Sequence, residues 1–269
     1  MAIITLSRGI FSGAGELALH ISENLGYRLV SREDIIEKIG RYGVSHERLD
    51  RARRRRLGMR QRIDLEWIHY RVYARAALAK EIRQGCLVYL GSNGRALLRD
   101  FPNVLNVKVV ADMEYRIDNL VRLVDYVVDR KQARRLIQEI DEKKARWQRA
   151  LLDNGWHDPS EFDLVVEPGL VSISDACQLI HATLEQPQYR TTGKSLETID
   201  VLTVASELRA RIAMKADVID DKVEVEVRDG LIVISGSVRS AEDISGIREL
   251  LDERPKTEAS EEYLKAWTL

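Results

Sequence analysis

The chain has 269 residues, 45% of them hydrophobic and 32% charged, with a formal net charge of −1. That balance belongs to a soluble globular protein with a strongly charged surface, long enough for one large or two modest domains. It excludes a bilayer-spanning chain, since no apolar stretch approaches the ~20 residues a span needs; with no basic and apolar leader after Met1, the expected compartment is the cytoplasm.

The near-zero net charge hides a split. From Leu196 onward 10 Lys/Arg face 17 Asp/Glu, a net of −7, which leaves the first 195 residues with 32 basic and 26 acidic side chains, a net of +6. A basic front and an acidic back predict two modules joined in the polar run from Gln186 to Ser195, which Pro187 and Gly193 punctuate. Cys86 and Cys177 lie far apart in apolar runs and read as buried thiols, not as a disulfide or metal pair.

The rest of the chain is organised around its first eighteen residues. Ile3, Ile4 and Leu6 form an apolar, β-branched run expected of a buried parallel strand. Ser12-Gly13-Ala14-Gly15 is a small-residue turn, and Leu17, Ile21 and Leu25 mark one face of the helix after it. A strand, a glycine turn and a helix N-terminus together make an anion cradle, because backbone N–H groups and the helix dipole both favour a phosphate there. The cradle is degenerate. Against the pattern G-x-x-x-x-G-K-[ST], with Gly13 as the last glycine, Ala14 stands where the lysine belongs and Gly15 where the hydroxyl belongs; Arg8 and Phe11 replace small residues. A strand-to-helix turn with no ligand is the competing reading.

Gly26 stops the first helix, and Tyr27 to Val30 reads as a second strand. Arg32 to Ile39 is a helix with Ile35, Ile36 and Ile39 inward. Ser45 caps an arginine-rich helix through Arg51 and Arg53 to Arg56. Four consecutive arginines radiate around a helix, so no nucleic-acid stripe is specified. Met59 to Gln84 is a long helix, Cys86 to Gly91 a buried strand, Arg95 to Arg99 a helical turn, and Val104 to Val110 another buried strand. Asp112 caps a helix through Tyr126, and Asp129 one through about Leu152. Phe162 to Val166 is the last strand of this part, and Ser174 to Leu184 its closing helix. Strands alternating with helices predict a parallel sheet between helical layers, with ligand at the carboxyl ends of the strands, near Ser7 to Gly15.

Residues 1 to about 185 resemble the cytidylate-kinase-like family of P-loop nucleotide kinases. The resemblance is carried by Ile-Thr-Leu-Ser-Arg with Ser-Gly-Ala-Gly-Glu, by Leu-Gly-Tyr-Arg-Leu-Val-Ser-Arg-Glu-Asp-Ile-Ile, by Leu-Val-Tyr-Leu-Gly-Ser-Asn-Gly-Arg-Ala, by Val-Val-Ala-Asp-Met-Glu-Tyr-Arg and by Phe-Asp-Leu-Val-Val. That family commonly lacks the loop lysine and carries Ser-Arg before a Gly-Ser-Gly-Gly turn; Ser7, Arg8, Ser12, Gly13 and Gly15 match, while Phe11 and Ala14 depart. The resemblance implies a nucleotide, ATP or similar, held by Ser7, Ser12, Gly13, Ala14, Gly15, Glu16, Gly91 and Arg116, with Arg8, Arg130 and Arg134 as catalytic cations. Arg122, Arg135 and Arg146 are further lid candidates, and Asp141-Glu-Lys-Lys144 stands where the family shows an Asp followed by a basic residue. Mg2+ is expected to arrive with the nucleotide, and no residue is assigned as its ligand. Ser31 stands where the family often shows an Asp, with Glu33 or Asp34 as replacements, and Phe11 would crowd a triphosphate unless it points away. Weak phosphoryl transfer from an NTP to a nucleotide-like acceptor is the implied activity; a non-catalytic nucleotide or anion sensor is the alternative.

In the acidic part, Asp200 is the expected cap of a helix carrying Val204, Leu208 and Ile212. Lys222 to Arg228 alternates apolar and charged, Asp229-Gly230 is a hairpin turn, Leu231 to Val238 returns, and Ser240 caps a helix with Ile244, Ile247 and Leu251. This order resembles the BON domain, a small α/β module; its acidity disfavours anionic lipid and implies a protein partner or self-association. Tyr263, Leu264 and Trp267 in the tail sit at helix spacing. The expected organisation is a P-loop kinase-like α/β domain at 1–188, a linker at 189–196, a small α/β BON-like domain at 197–256 and a tail at 257–269.

Overall fold

The computed structural model describes residues 2–40, 60–124, 129–151, 161–215, 223–237, 241–252 and 263–268. The chain forms two compact units whose residues alternate along the sequence. One holds 1–32, 85–99 and 103–191; the other holds 33–84, 100–102 and 192–269.

The first unit is built on five parallel strands in the order β2-β3-β1-β4-β5, namely Arg28–Ser31, Leu87–Leu90, Ile3–Arg8, Val104–Val109 and Leu164–Val166. Ile3, Ile4 and Leu6 are wholly buried, as a strand covered on both faces requires. Helix α1 (Ala14–Leu25) starts at Gly13 and ends at Gly26, both in the left-handed conformation that glycine adopts without strain. Its Leu17, Ala18 and Ile21 join Ile4, Leu6, Leu105 and Val107 in one core cluster.

Four more helices belong to this unit. The short α4 (Gly94–Leu97) follows β3. Helix α5 (Met113–Leu123) is capped by Asp112, whose carboxylate accepts from the Tyr115 N–H at 2.7 Å. Helix α6 (Arg130–Leu151) follows Asp129, which accepts from the Lys131 N–H. Helix α7 (Ile173–Leu184) is capped by Ser172. The sequence places the starts of these four helices within a residue or two.

In the second unit, α2 (Arg32–Ile39) and α3 (Arg60–Ile82) are followed by α8 (Gly193–Lys215). Helix α8 starts earlier than the expected cap at Asp200. Thr192 and Ser195 bond each other's backbone N–H groups reciprocally, a capping box that places the start at Gly193, while Asp200 pairs with Arg83 at 2.8 Å. Helices α3 and α8 pack together, with the Lys80–Glu207 ion pair and the Thr203 hydroxyl lying along the contact. A hairpin of β6 (Val223–Arg228) and β7 (Leu231–Ser237) turns at Asp229 and Gly230, both at positive φ as the tight hairpin turn demands. With α9 (Ala241–Asp252) it closes a core of Val201, Leu208, Ile212, Ile232, Ile234, Ile247 and Leu250.

The tail corrects the expectation of helix spacing. Tyr263–Thr268 is a strand, β8, parallel to β7. An unpaired sheet edge satisfies its backbone by taking a strand, and that outweighs the spacing of three side chains. The arginine run at 51–56 and the Ser45 cap lie outside the described residues.

Candidate functional site

The turn from β1 into α1 is shaped by two residues at positive φ, Phe11 at 55° and Gly13 at 80°. For phenylalanine that conformation costs energy and needs outside support. It has two supports. Ile10 and Phe11 pack on the apolar cluster of Ile117, Leu120, Ala133 and Ile137 from α5 and α6, and the Asn119 amide donates to the Phe11 carbonyl at 3.0 Å. Phe11 therefore points away from the turn and into the helices.

The other carbonyls of the turn are capped in sequence. The Ser12 hydroxyl donates to the Gly9 carbonyl at 3.0 Å, Arg116 Nε donates to the Ile10 carbonyl at 2.9 Å, and Lys144 Nζ donates to the Arg8 carbonyl. Arg116 also grips Asp141 with both terminal nitrogens, at 2.8 and 2.9 Å. A bidentate pair of this kind fixes orientation as well as charge.

Between these groups lies a cavity of about 300 Å3, lined by Arg8, Gly9, Ser12, Val109–Ala111, Arg116, Asp141, Lys108 and Lys144. Lys108 stands on β4 in register with Ser7 of β1, with its ammonium 5.1 Å from the centre of the Phe162 ring. Burial lowers the pKa of Lys108. Lys144 is pushed down to about 8, first by burial and then by the like charges of Lys108 and Arg8, with Asp141 opposing. Arg8 Nε is buried with no hydrogen-bond partner among the described residues. Four cations thus share one carboxylate, and that carboxylate is already spent on Arg116. Such a cavity attracts an anion and resists a bare cation.

Of the residues expected from sequence, Arg8, Ser12 and Arg116 meet at this cavity, with Ser7 buried in β1 beside Lys108. The helix-side positions do not line it. Gly13 is overlaid by Tyr115 and Pro168, so that an added Cβ would lie 2.8 Å from the Tyr115 hydroxyl. Ala14 is buried, Gly15 faces open space, and Glu16 pairs with Arg122 at 3.5 Å. Gly91 is occupied with packing, since an added Cβ would meet the Tyr89 ring at 2.5 Å. Arg130 and Arg134 bind Glu114, and Arg130 also Asp118, on exposed faces outside the cavity. Sequence reasoning missed Lys108. Its only signal is a lone cation inside the apolar run of β4. Lys144 carried a faint one, its spacing of three from Asp141 on the same helix.

A protein-held Mg2+ does not fit these residues. Gly15 offers no hydroxyl, the Ser12 hydroxyl and the Asp141 carboxylate are engaged, and the described residues contain no group of three acidic, His or Cys side chains able to hold a metal. No described helix is long and apolar enough to cross a membrane.

A family profile described as "Cytidylate kinase-like family" matches residues 3–168. Among solved structures, an uncharacterized protein from Eubacterium ventriosum aligns with a TM-score of 0.52 and 17% identity, over 68% of this chain and 98% of that one. A protein from Thermus thermophilus gives a TM-score of 0.42 and 18% identity over 69% and 98%. Shikimate kinase from Bacteroides thetaiotaomicron gives 0.42 and 12% over 69% and 99%. The first of these likenesses is one of fold. No curated protein matches the chain.

Proposed function

The chain belongs to the cytidylate kinase-like family, and from that premise we propose that it binds ATP or a similar nucleotide and slowly transfers a phosphoryl group to a nucleotide-like acceptor. The observation that carries this reading is the cation-lined cavity at the carboxyl ends of β1 and β4, formed by Arg8, Lys108, Arg116 and Lys144. Phosphoryl transfer is mainly positioning plus charge compensation, and fixed cations in a partly dry cavity supply the second. Slowness follows from the loop. With Ala14 and Gly15 in the lysine and hydroxyl positions, neither of those two positions offers a side chain to the outer phosphates or to a metal. Mg2+ would come held by the nucleotide's own phosphates.

A coupled kinase panel with NTP donors and nucleotide acceptors tests the reading. Turnover well below the common enzyme median of ~10 per second, with clear nucleotide binding, upholds it; turnover at that median overturns the slow loop, and absence of nucleotide binding overturns the whole.

The second reading is a nucleotide or anion sensor without turnover, read out through the BON-like unit as a protein-interaction or self-association module. The separate core around β6, β7, α8 and α9 favours it. Both readings keep the division at 189–196, and a chain cut after Thr192 tests that division. A 1–192 fragment that melts cooperatively and binds the same ligands supports two separable modules; aggregation, caused by α3 losing its packing against α8, contradicts them.

A further inference from the structure

A phosphate loop without its lysine brings no ammonium to a phosphate oxygen from residue 14, where the side chain is the short, buried methyl of Ala14. An ammonium nevertheless reaches this loop from elsewhere. Lys144 on α6 donates to the Arg8 carbonyl and lines the cavity beside Ser12, and Lys108 on β4 lines the same cavity. We propose that Lys144, with Lys108 beside it, supplies the cation that the phosphate loop lacks, and that phosphate groups of the ligand lodge between these lysines and Arg8. The proposal rests on the nucleotide-binding reading and adds to it the groups that hold the phosphates.

Three features support it. Lys144 spends one of its three N–H donors on the Arg8 carbonyl, which among the described residues leaves two for a ligand. Arg8 carries a buried Nε with no partner among the described residues, so the cavity holds an unspent donor as well as unspent charge. Among the described residues, the charges acting on Lys144 come from four elements: Arg8 from β1, Lys108 from β4, Arg116 from α5 and Asp141 from α6 itself. Asp141 is gripped by Arg116 at both oxygens, so the partly buried ammonium and guanidinium groups of Lys144, Lys108 and Arg8 have no other carboxylate in the cavity lining, and an anion would answer that excess. A phosphate-bearing group answers that need better than a carboxylate, since it carries more charge and more acceptor oxygens per site.

The test is titration calorimetry of the full chain with inorganic pyrophosphate and, separately, with ATP at pH 7. Lys144→Gln and Lys108→Gln are each expected to weaken pyrophosphate binding about tenfold or more, the loss of a charge-assisted hydrogen bond. Lys144→Arg keeps the charge and should stay close to wild type. Lys143→Gln, on the solvent side of the same helix, should leave affinity unchanged. Ligand-free melts report whether each variant folds; should Lys144→Gln fail to fold, Lys108→Gln decides. Wild-type affinity in a folded Lys144→Gln, or in that case in Lys108→Gln, overturns the proposal and leaves the nucleotide reading standing. A wild-type chain that binds neither pyrophosphate nor ATP overturns both.

Discussion

The two halves of the phosphate loop have been built in opposite ways. The strand-side half, Arg8 to Ser12, has each of its first four carbonyls capped by a side chain and looks into a cavity with four cations. The helix-side half, Gly13 to Glu16, has no cation in the loop, is overlaid at Gly13 by Tyr115 and Pro168, and opens to solvent at Gly15. In an ordinary phosphate loop both halves serve one anion. Here the cations gather on the strand side, on residues that arrive from β4, α5 and α6. A turn without a lysine of its own can therefore still face a cavity lined with cations.

The largest effect expected is from Arg116→Ala. It removes the donor to the Ile10 carbonyl and both bonds to Asp141 at once. Thermal denaturation should show a loss of about 2 kcal/mol, moderated because Asp141 is partly exposed, and nucleotide affinity should fall about tenfold or more. Unchanged stability would mean that α5 and α6 are held to the loop by the apolar cluster alone.

Gly13→Ala sharpens the contrast from the other half. A side chain at φ 80°, 2.8 Å from the Tyr115 hydroxyl, is strained whatever else shifts. It should cost about 2 kcal/mol, a drop of roughly 5 °C in Tm, while pyrophosphate affinity stays within a few-fold of wild type. If binding is lost and stability kept, the anion sits on the helix side after all.

The smallest effect is a pH slope. Lys144 titrates near 8 in the folded chain and near its ordinary, higher value when unfolded, so between these values the unfolded state binds more protons. Stability from this group is therefore lower below pH 8 and rises as pH climbs above it. From pH 7.5 to 9.5 the wild type should gain about 1 kcal/mol relative to Lys144→Gln, roughly 2–4 °C in Tm. Parallel curves for the two proteins would place the ammonium in solvent.

How much could be read from the sequence depends on how local each signal is. The five parallel strands, the Gly26 stop and the Asp112 cap rest on local chemistry and could be read directly. The Asp229-Gly230 turn could too, because a tight hairpin admits few residues at positive φ. The tail was illegible, since β8 exists only because β7 has an edge to offer. The site was half legible. Arg8, Ser12 and Arg116 belong to recognisable stretches, whereas Lys108 looks like any solvent-side residue of a strand until the register sets it beside Ser7. Arg130 and Arg134 pair with Glu114 and Asp118, and a row of arginines on a helix gives no sign of those carboxylates.

The central claim is that phosphate binds the strand-side half of the loop, and a crystal structure of the full chain with bound pyrophosphate tests it most directly. The account predicts phosphate oxygens within hydrogen-bond distance of Arg8, Lys108 and Lys144. Phosphate seated on the N–H groups of Gly15 and Glu16, away from those three cations, would contradict it.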